Sequence, residues 1–294
     1  MRPTRAVVER FVAGETTADA LRVAGELVGA GRLVSLDHLG EDVTEPAAAA
    51  LAVEAYTELL AGLTDAGLAG QVEVSVKLSA LGQAIDEDLA AGHAERICAA
   101  AAAAGSMVTL DAENHATTDS TLRVLRSLRE RWPWVGAVLQ AYLRRTEDDC
   151  RALAGPGSRV RLCKGAYAEP PSVAFTTVGQ VRDSYVRCAD VLLAGRCLPM
   201  FATHDPVLVD AVTDRIAATG RGRDEVEFQM LYGVRPDEQH RLVGAGHTVR
   251  VYVPYGRQWY GYLMRRLAER PANAAFFLRA LTGRTHTMRR RSVF

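Results

Sequence analysis

Residues 72–79 read VEVSVKLS, and the fold is decided there. Val72, Val74, Val76 and Leu78 alternate with Glu73, Ser75, Lys77 and Ser79, so a strand built on this run has one apolar and one polar face. If helices cover the apolar face, the polar face lines something wet or something that binds an ionic ligand, because an unpaired buried charge is costly. Lys77 therefore points into a cavity. Of the 35 basic side chains only Lys77 and Lys164 are lysines, and each closes a strand-like run. Arginine takes every other cationic position, which sets these two compact, strongly hydrated charges apart.

Working outward, seven further β-rich runs can be read along the chain. They are LVSLDHLG from Leu33, MVTLDAENH from Met107, VGAVLQAY from Val135, RVRLCKGAY from Arg159, PMFATHD from Pro199, VEFQMLYG from Val226 and TVRVYVPYG from Thr248. Their spacing leaves room for a crossover helix after each. Glu45 to Ala61, Asp119 to Arg131 and Val181 to Leu193 carry apolar residues at three- and four-residue steps, and a helical segment from Thr16 to Ala30 precedes the first strand. Eight β/α units predict an α/β fold, a distorted (β/α)8 TIM-type barrel, with extra N-terminal helices and a C-terminal helix over the mouth. No linker divides the chain, so 1–294 reads as one domain: N-terminal helices over 1–32, eight units over 33–256, and a final helix and basic tail over 257–294.

Composition narrows the function. Formal net charge is zero and the chain is 48% hydrophobic, so no global field attracts nucleic acid. Apolar stretches such as Ile97 to Ala104 fall far short of the ~20 residues of a membrane span. No apolar signal core opens the chain, which predicts a cytoplasmic protein. Five cysteines without a CxxC pair predict free thiols and no structural metal. Arg289, Arg290 and Arg291 form a basic tail that reads as a solvated terminus or a lipid-headgroup contact.

In such a barrel the active site lies at the C-terminal strand ends. These ends carry Asp37, His38, Lys77, Asp111, Glu113, Gln140, Lys164, Tyr167, His204, Asp205, Gln229, Tyr232 and Tyr252. Asp37 and His38 have the look of a metal pair, but no second histidine completes the set, and they are assigned no role. After the last strand, Tyr262, Arg265, Arg266 and Glu269 fall on one helix face at i, i+3, i+4 and i+7. They are either a solvated face with an Arg265–Glu269 pair or a receptor for a small carboxylate.

Taken in order, VKLSAL, LDAEN, LQAYLRRTEDD, RLCKGAY, FATHD, EFQMLYGVR and YLMRRLAERPANAAF resemble the proline dehydrogenase family, over about Leu33 to Leu281. The compact length is similar to the stand-alone bacterial form. The resemblance implies oxidation of L-proline to Δ1-pyrroline-5-carboxylate, with FAD as hydride acceptor, a membrane quinone as final acceptor, a peripheral membrane contact and a pyrroline-5-carboxylate dehydrogenase partner. It implies that Lys77, Arg265 and Arg266 hold the proline carboxylate, that Tyr252 and Tyr262 pack on the ring, and that Glu269 orients the arginine pair. For the cofactor it implies Gln140 at the pyrimidine edge, Arg161 near N5, and Ala112, Leu162, Lys164, Gly165, Ala166, Thr203 and His204 as further contacts. Asp111 and Arg161 become the catalytic pair. Two positions depart from common patterns: Ala168 follows Tyr167 where some relatives place tryptophan, and FTTVGQVRDSYV lacks a lysine that many relatives carry. No GxGxxG opens a helix after a strand, so the cofactor is not bound by the dinucleotide fingerprint. Two other readings stand beside this one: a Schiff-base lyase using Lys164 or Lys77, and a barrel that binds ligands without catalysis.

Overall fold

A computed structural model describes residues 8–262. Eight strands form a closed, all-parallel barrel in sequence order: β1 (Leu33–His38), β2 (Val72–Val76), β3 (Met107–Leu110), β4 (Gly136–Gln140), β5 (Arg159–Cys163), β6 (Leu198–Ala202), β7 (Glu227–Leu231) and β8 (Thr248–Tyr255), with β8 pairing back onto β1. The expected eight-unit barrel is present. Helix α1 (Thr17–Gly29) precedes β1, and α2 (Pro46–Asp65), α3 (Glu87–Ala104), α4 (Thr118–Arg131), α5 (Thr146–Leu153), α6 (Val178–Ala194), α7 (Pro206–Thr219) and α8 (Pro236–Gly244) follow the strands in turn.

Local chemistry sets the helix starts. Thr16 and Asp19 form a reciprocal capping box on α1. Asp86 caps α3 and Asp205 caps α7, while proline sits in the first turn of α2, α7 and α8. The expected strand VEVSVKLSAL is shorter than its apolar pattern: β2 ends at Val76, Lys77 stays extended, and Leu78–Leu81 turn into a 3-10 helix closed by Gly82 in the left-handed region. Helix α2 is apolar and long enough to cross a membrane by length and composition, contrary to the reading of short apolar runs. Here it buries Ala49, Val53, Tyr56, Leu59, Leu60 and Leu63 in the barrel's outer layer.

The strand period divides the sheet's two faces by chemistry. Val34, Leu36, Val72, Val74, Val76, Val108, Leu110, Leu139, Val160, Leu162, Phe201, Phe228, Val249, Val251 and Val253 belong to two apolar layers packed with the helices. The alternate positions hold an ionic network. Glu73, only 1% exposed, accepts from Ser35 Oγ at 2.5 Å, Arg161 Nη2 at 3.0 Å and Thr109 Oγ1 at 3.1 Å, and from Arg159. Glu227 takes Arg250 by two hydrogen bonds of 2.7 and 3.1 Å. Burial opposes the Glu73 charge, but Arg250, Arg159 and Arg161 outweigh it and hold the carboxyl far below its usual range. The barrel is therefore filled by paired charges rather than by apolar branched side chains, and its upper layer carries the site.

Candidate active site

A cavity of about 390 Å³ opens at the C-terminal ends of the strands. Strands β8, β1, β2 and β3 are contiguous in the barrel and bring Tyr252, Asp37, Lys77 and Asp111 to one side. Strands β4, β5 and β6 bring Gln140, Arg161, Lys164, Thr203 and His204 to the other. The small residues Ala112, Gly165, Ala166 and Ala202 also line the cavity, as does Tyr262.

Lys77 is 8% exposed, and its ammonium donates to both carboxylate oxygens of Asp37 at 2.7 Å. Asp111 Oδ2 is 3.8 Å away. Burial alone would depress the ammonium, yet Asp37 and then Asp111 overcome it, so Lys77 is held charged, above its ordinary range. Asp111 joins both sides of the site. Its Oδ1 accepts from Ser75 Oγ and from Arg161 Nη1, each at 2.8 Å, and its Oδ2 accepts from the Tyr252 hydroxyl at 2.8 Å. Burial, then Asp111, pushes the Tyr252 phenol well above its usual value, so the hydroxyl remains a donor.

Arg161 spans two layers. Nη1 donates to Ser75 Oγ at 2.9 Å and Nη2 to Ser35 Oγ at 3.2 Å and to Glu73, its guanidinium lies 5.4 Å from the Tyr252 ring, and its buried Nε has no hydrogen-bond partner among the described residues. Gln140 Nε2 donates to the Glu113 carbonyl at 2.7 Å, which fixes the roll of the amide. The Glu113 side chain turns away to Ser79, whose backbone N–H it accepts at 3.1 Å, and burial raises its carboxyl. Lys164 Nζ lies 2.5 Å from Asp205 Oδ2, and Arg182 grips the same carboxylate at 2.8 and 3.0 Å. Arg182 stands in the segment noted for its missing lysine and brings a second cation beside Lys164. His204 Nε2 accepts the Leu231 N–H at 2.8 Å, so the ring is neutral with its proton on Nδ1.

Three expectations take a different form. Leu162 does not line the cavity: the strand period turns it outward into the apolar layer, and its carbonyl accepts from Tyr185 at 3.0 Å. Gly165, at φ +108°, is required by a protein neighbour, because a Cβ there would run into the Tyr142 ring. Asp37 is the direct partner of Lys77, a role that reading it against a metal template missed. The signal was available, since Asp37 and Lys77 close neighbouring strands with inward parity. His38 has the opposite parity and packs beside Tyr56 and Tyr255 outside the barrel. Arg265, Arg266 and Glu269 lie outside the described residues.

A family model described as proline dehydrogenase matches residues 20–279. The chain is 40% identical over 280 residues to a proline dehydrogenase of Deinococcus radiodurans, covering 94% of this chain and 90% of that protein. It is 36% identical to proline dehydrogenase 2 of Bacillus subtilis, covering 95% and 91%. Among solved structures it is similar to proline utilization A from Bdellovibrio bacteriovorus inactivated by N-propargylglycine, with a TM-score of 0.84 and 26% identity over 95% of this chain. The chain spans about a third of that larger protein, 34% of its length.

Proposed function

The chain belongs to the proline dehydrogenase family, and from that premise we propose that it oxidises L-proline to Δ1-pyrroline-5-carboxylate, the first step of proline breakdown, with FAD as the hydride acceptor. The observation that carries this reading is the division of the cavity: Lys77, Asp111 and Tyr252 on one contiguous set of strands face Gln140, Arg161 and Lys164 on the other. A flat, electron-accepting ring fits the second side. Ala112, Gly165 and Ala166 line the same cavity with little side chain, Gln140 supplies an amide that matches a pyrimidine edge, and Arg161 supplies a permanent cation. Gln140, Arg161, Lys164, Gly165, Ala166, Thr203, His204 and Ala112 are the residues that would hold FAD. Its contribution is to accept hydride.

The chain's own residues bind and orient. Lys77 takes the substrate carboxylate together with Arg265 and Arg266, Glu269 orients that arginine pair, and Tyr252 and Tyr262 pack on the pyrrolidine ring. Asp111 holds Arg161 and the Tyr252 hydroxyl at once, so it ties the substrate side to the cofactor side. Hydride leaves the ring carbon only when the amine is neutral, and cations around the carboxylate favour that form. Lys77 is already charged and ion-paired, which disfavours it as a Schiff-base nucleophile.

Electrons then pass to a membrane quinone at a transient contact on the inner membrane face, and the product passes to a pyrroline-5-carboxylate dehydrogenase. A cytoplasmic location with peripheral contact through the basic tail is consistent with that path. Stopped-flow reduction of the bound flavin by L-proline tests the binding mode. The rate should rise from about pH 6 to 9 as the bound amine loses its proton, and a flat profile would contradict it.

A further inference from the structure

We propose that Asp37 is a positioning residue for the substrate: it clamps the Lys77 ammonium with both carboxylate oxygens and leaves one N–H to meet the substrate carboxylate. The inference rests on the proline reading of the cavity. An ammonium has three N–H donors, and two are directed to Asp37 Oδ1 and Oδ2 at 2.7 Å each. Both partners border the cavity, with Asp37 1% exposed and Lys77 8% exposed. The neighbouring strands β1 and β2 fix their separation, so neither side chain needs to reorder when a ligand arrives.

Among the described residues, the other carboxylates near Lys77 are committed elsewhere. Asp111 is 3.8 Å from Lys77 and is already engaged by Ser75, Arg161 and Tyr252. Glu113 also acts on Lys77 but is tied to Ser79. Among the described residues, His38, Tyr56, Tyr252 and Tyr255 also feel the Asp37 charge, and Glu58 acts on His38 and Tyr255 beside it. Without Asp37, the strongest opposition to the desolvation of Lys77 is lost, and the balance moves towards the neutral amine against Asp111 and Glu113 alone. A neutral Lys77 is a poor partner for a carboxylate.

Because the chain has only two lysines, holoenzyme labelled with 13Cε-lysine gives two signals, which Lys164→Arg assigns. In the wild type the Lys77 signal should not titrate between about pH 7 and 10. In Asp37→Asn it should titrate inside that window, and KM for L-proline should climb by up to roughly tenfold per pH unit above the midpoint, with the bound-flavin spectrum unchanged. A flat Lys77 signal in Asp37→Asn, with KM unmoved at every pH, overturns the proposal. Should that variant not fold, the wild type still decides: a Lys77 signal titrating at or below the ordinary lysine range overturns it, and a flat one supports it. Wild-type flavin that L-proline cannot reduce would count against the substrate reading, separately from the titration.

Discussion

The Tyr252 hydroxyl donates to Asp111 Oδ2 at 2.8 Å, in a site where Asp111 also receives Arg161. Tyr252→Phe keeps the aromatic ring that borders the cavity and removes only this donor. An unsatisfied buried acceptor costs about 1–3 kcal/mol, so kcat/KM for L-proline should fall by roughly 5- to 150-fold. Steady-state kinetics decide this, and an unchanged kcat/KM would remove the hydroxyl from the account. Lys77, Arg161, Gln140 and Asp111 were legible in the sequence because an ordered set of motifs names them and strand parity aims them inward. Asp37 carries the same inward parity, but its pairing with Lys77, 40 residues away, is fixed only once β1 and β2 lie side by side. Arg182 was hidden: from within α6 its side chain meets Asp205 in the β6–α7 connection, a contact that no local pattern encodes.

Elements inherit their limits from close approaches. Gly165 follows β5 at φ +108°, with the Tyr142 ring where a Cβ would sit. Gly165→Ala should therefore displace Tyr142 or the backbone, costing about 1–3 kcal/mol of stability and weakening flavin retention. Urea unfolding and flavin occupancy after dialysis measure both, and a variant with wild-type midpoint and occupancy would refute the constraint. All eight strands were legible in the sequence, since apolar alternation and turn residues bound each one. What alternation leaves unread is the content of the barrel. It singles out Lys77, although Ser35, Glu73, Arg159, Arg161, Glu227 and Arg250 share the same inward parity. Those charges make sense only after closure brings β2, β5, β7 and β8 around one interior.

For the molecule as a whole, the paired interior and rim carboxylates predict acid sensitivity. Burial opposes ionisation of Asp205, but Arg182 and Lys164 hold it at about 2, and Glu73 lies lower still. Folded-state values below the unfolded ones mean that the stabilisation is present above the unfolded carboxylate range and is lost as pH falls through the folded values. The urea midpoint should drop steadily from about pH 5 towards pH 2. A midpoint that holds constant through that window would contradict the ionic interior. The family, the barrel and the cavity lead to one proposal, that a cation-bearing site oxidises proline with a flavin as acceptor. Anaerobic titration of flavin-loaded protein with L-proline tests this most directly: the account predicts that the visible flavin bands bleach as proline is added, and bands that persist at saturating L-proline would contradict it.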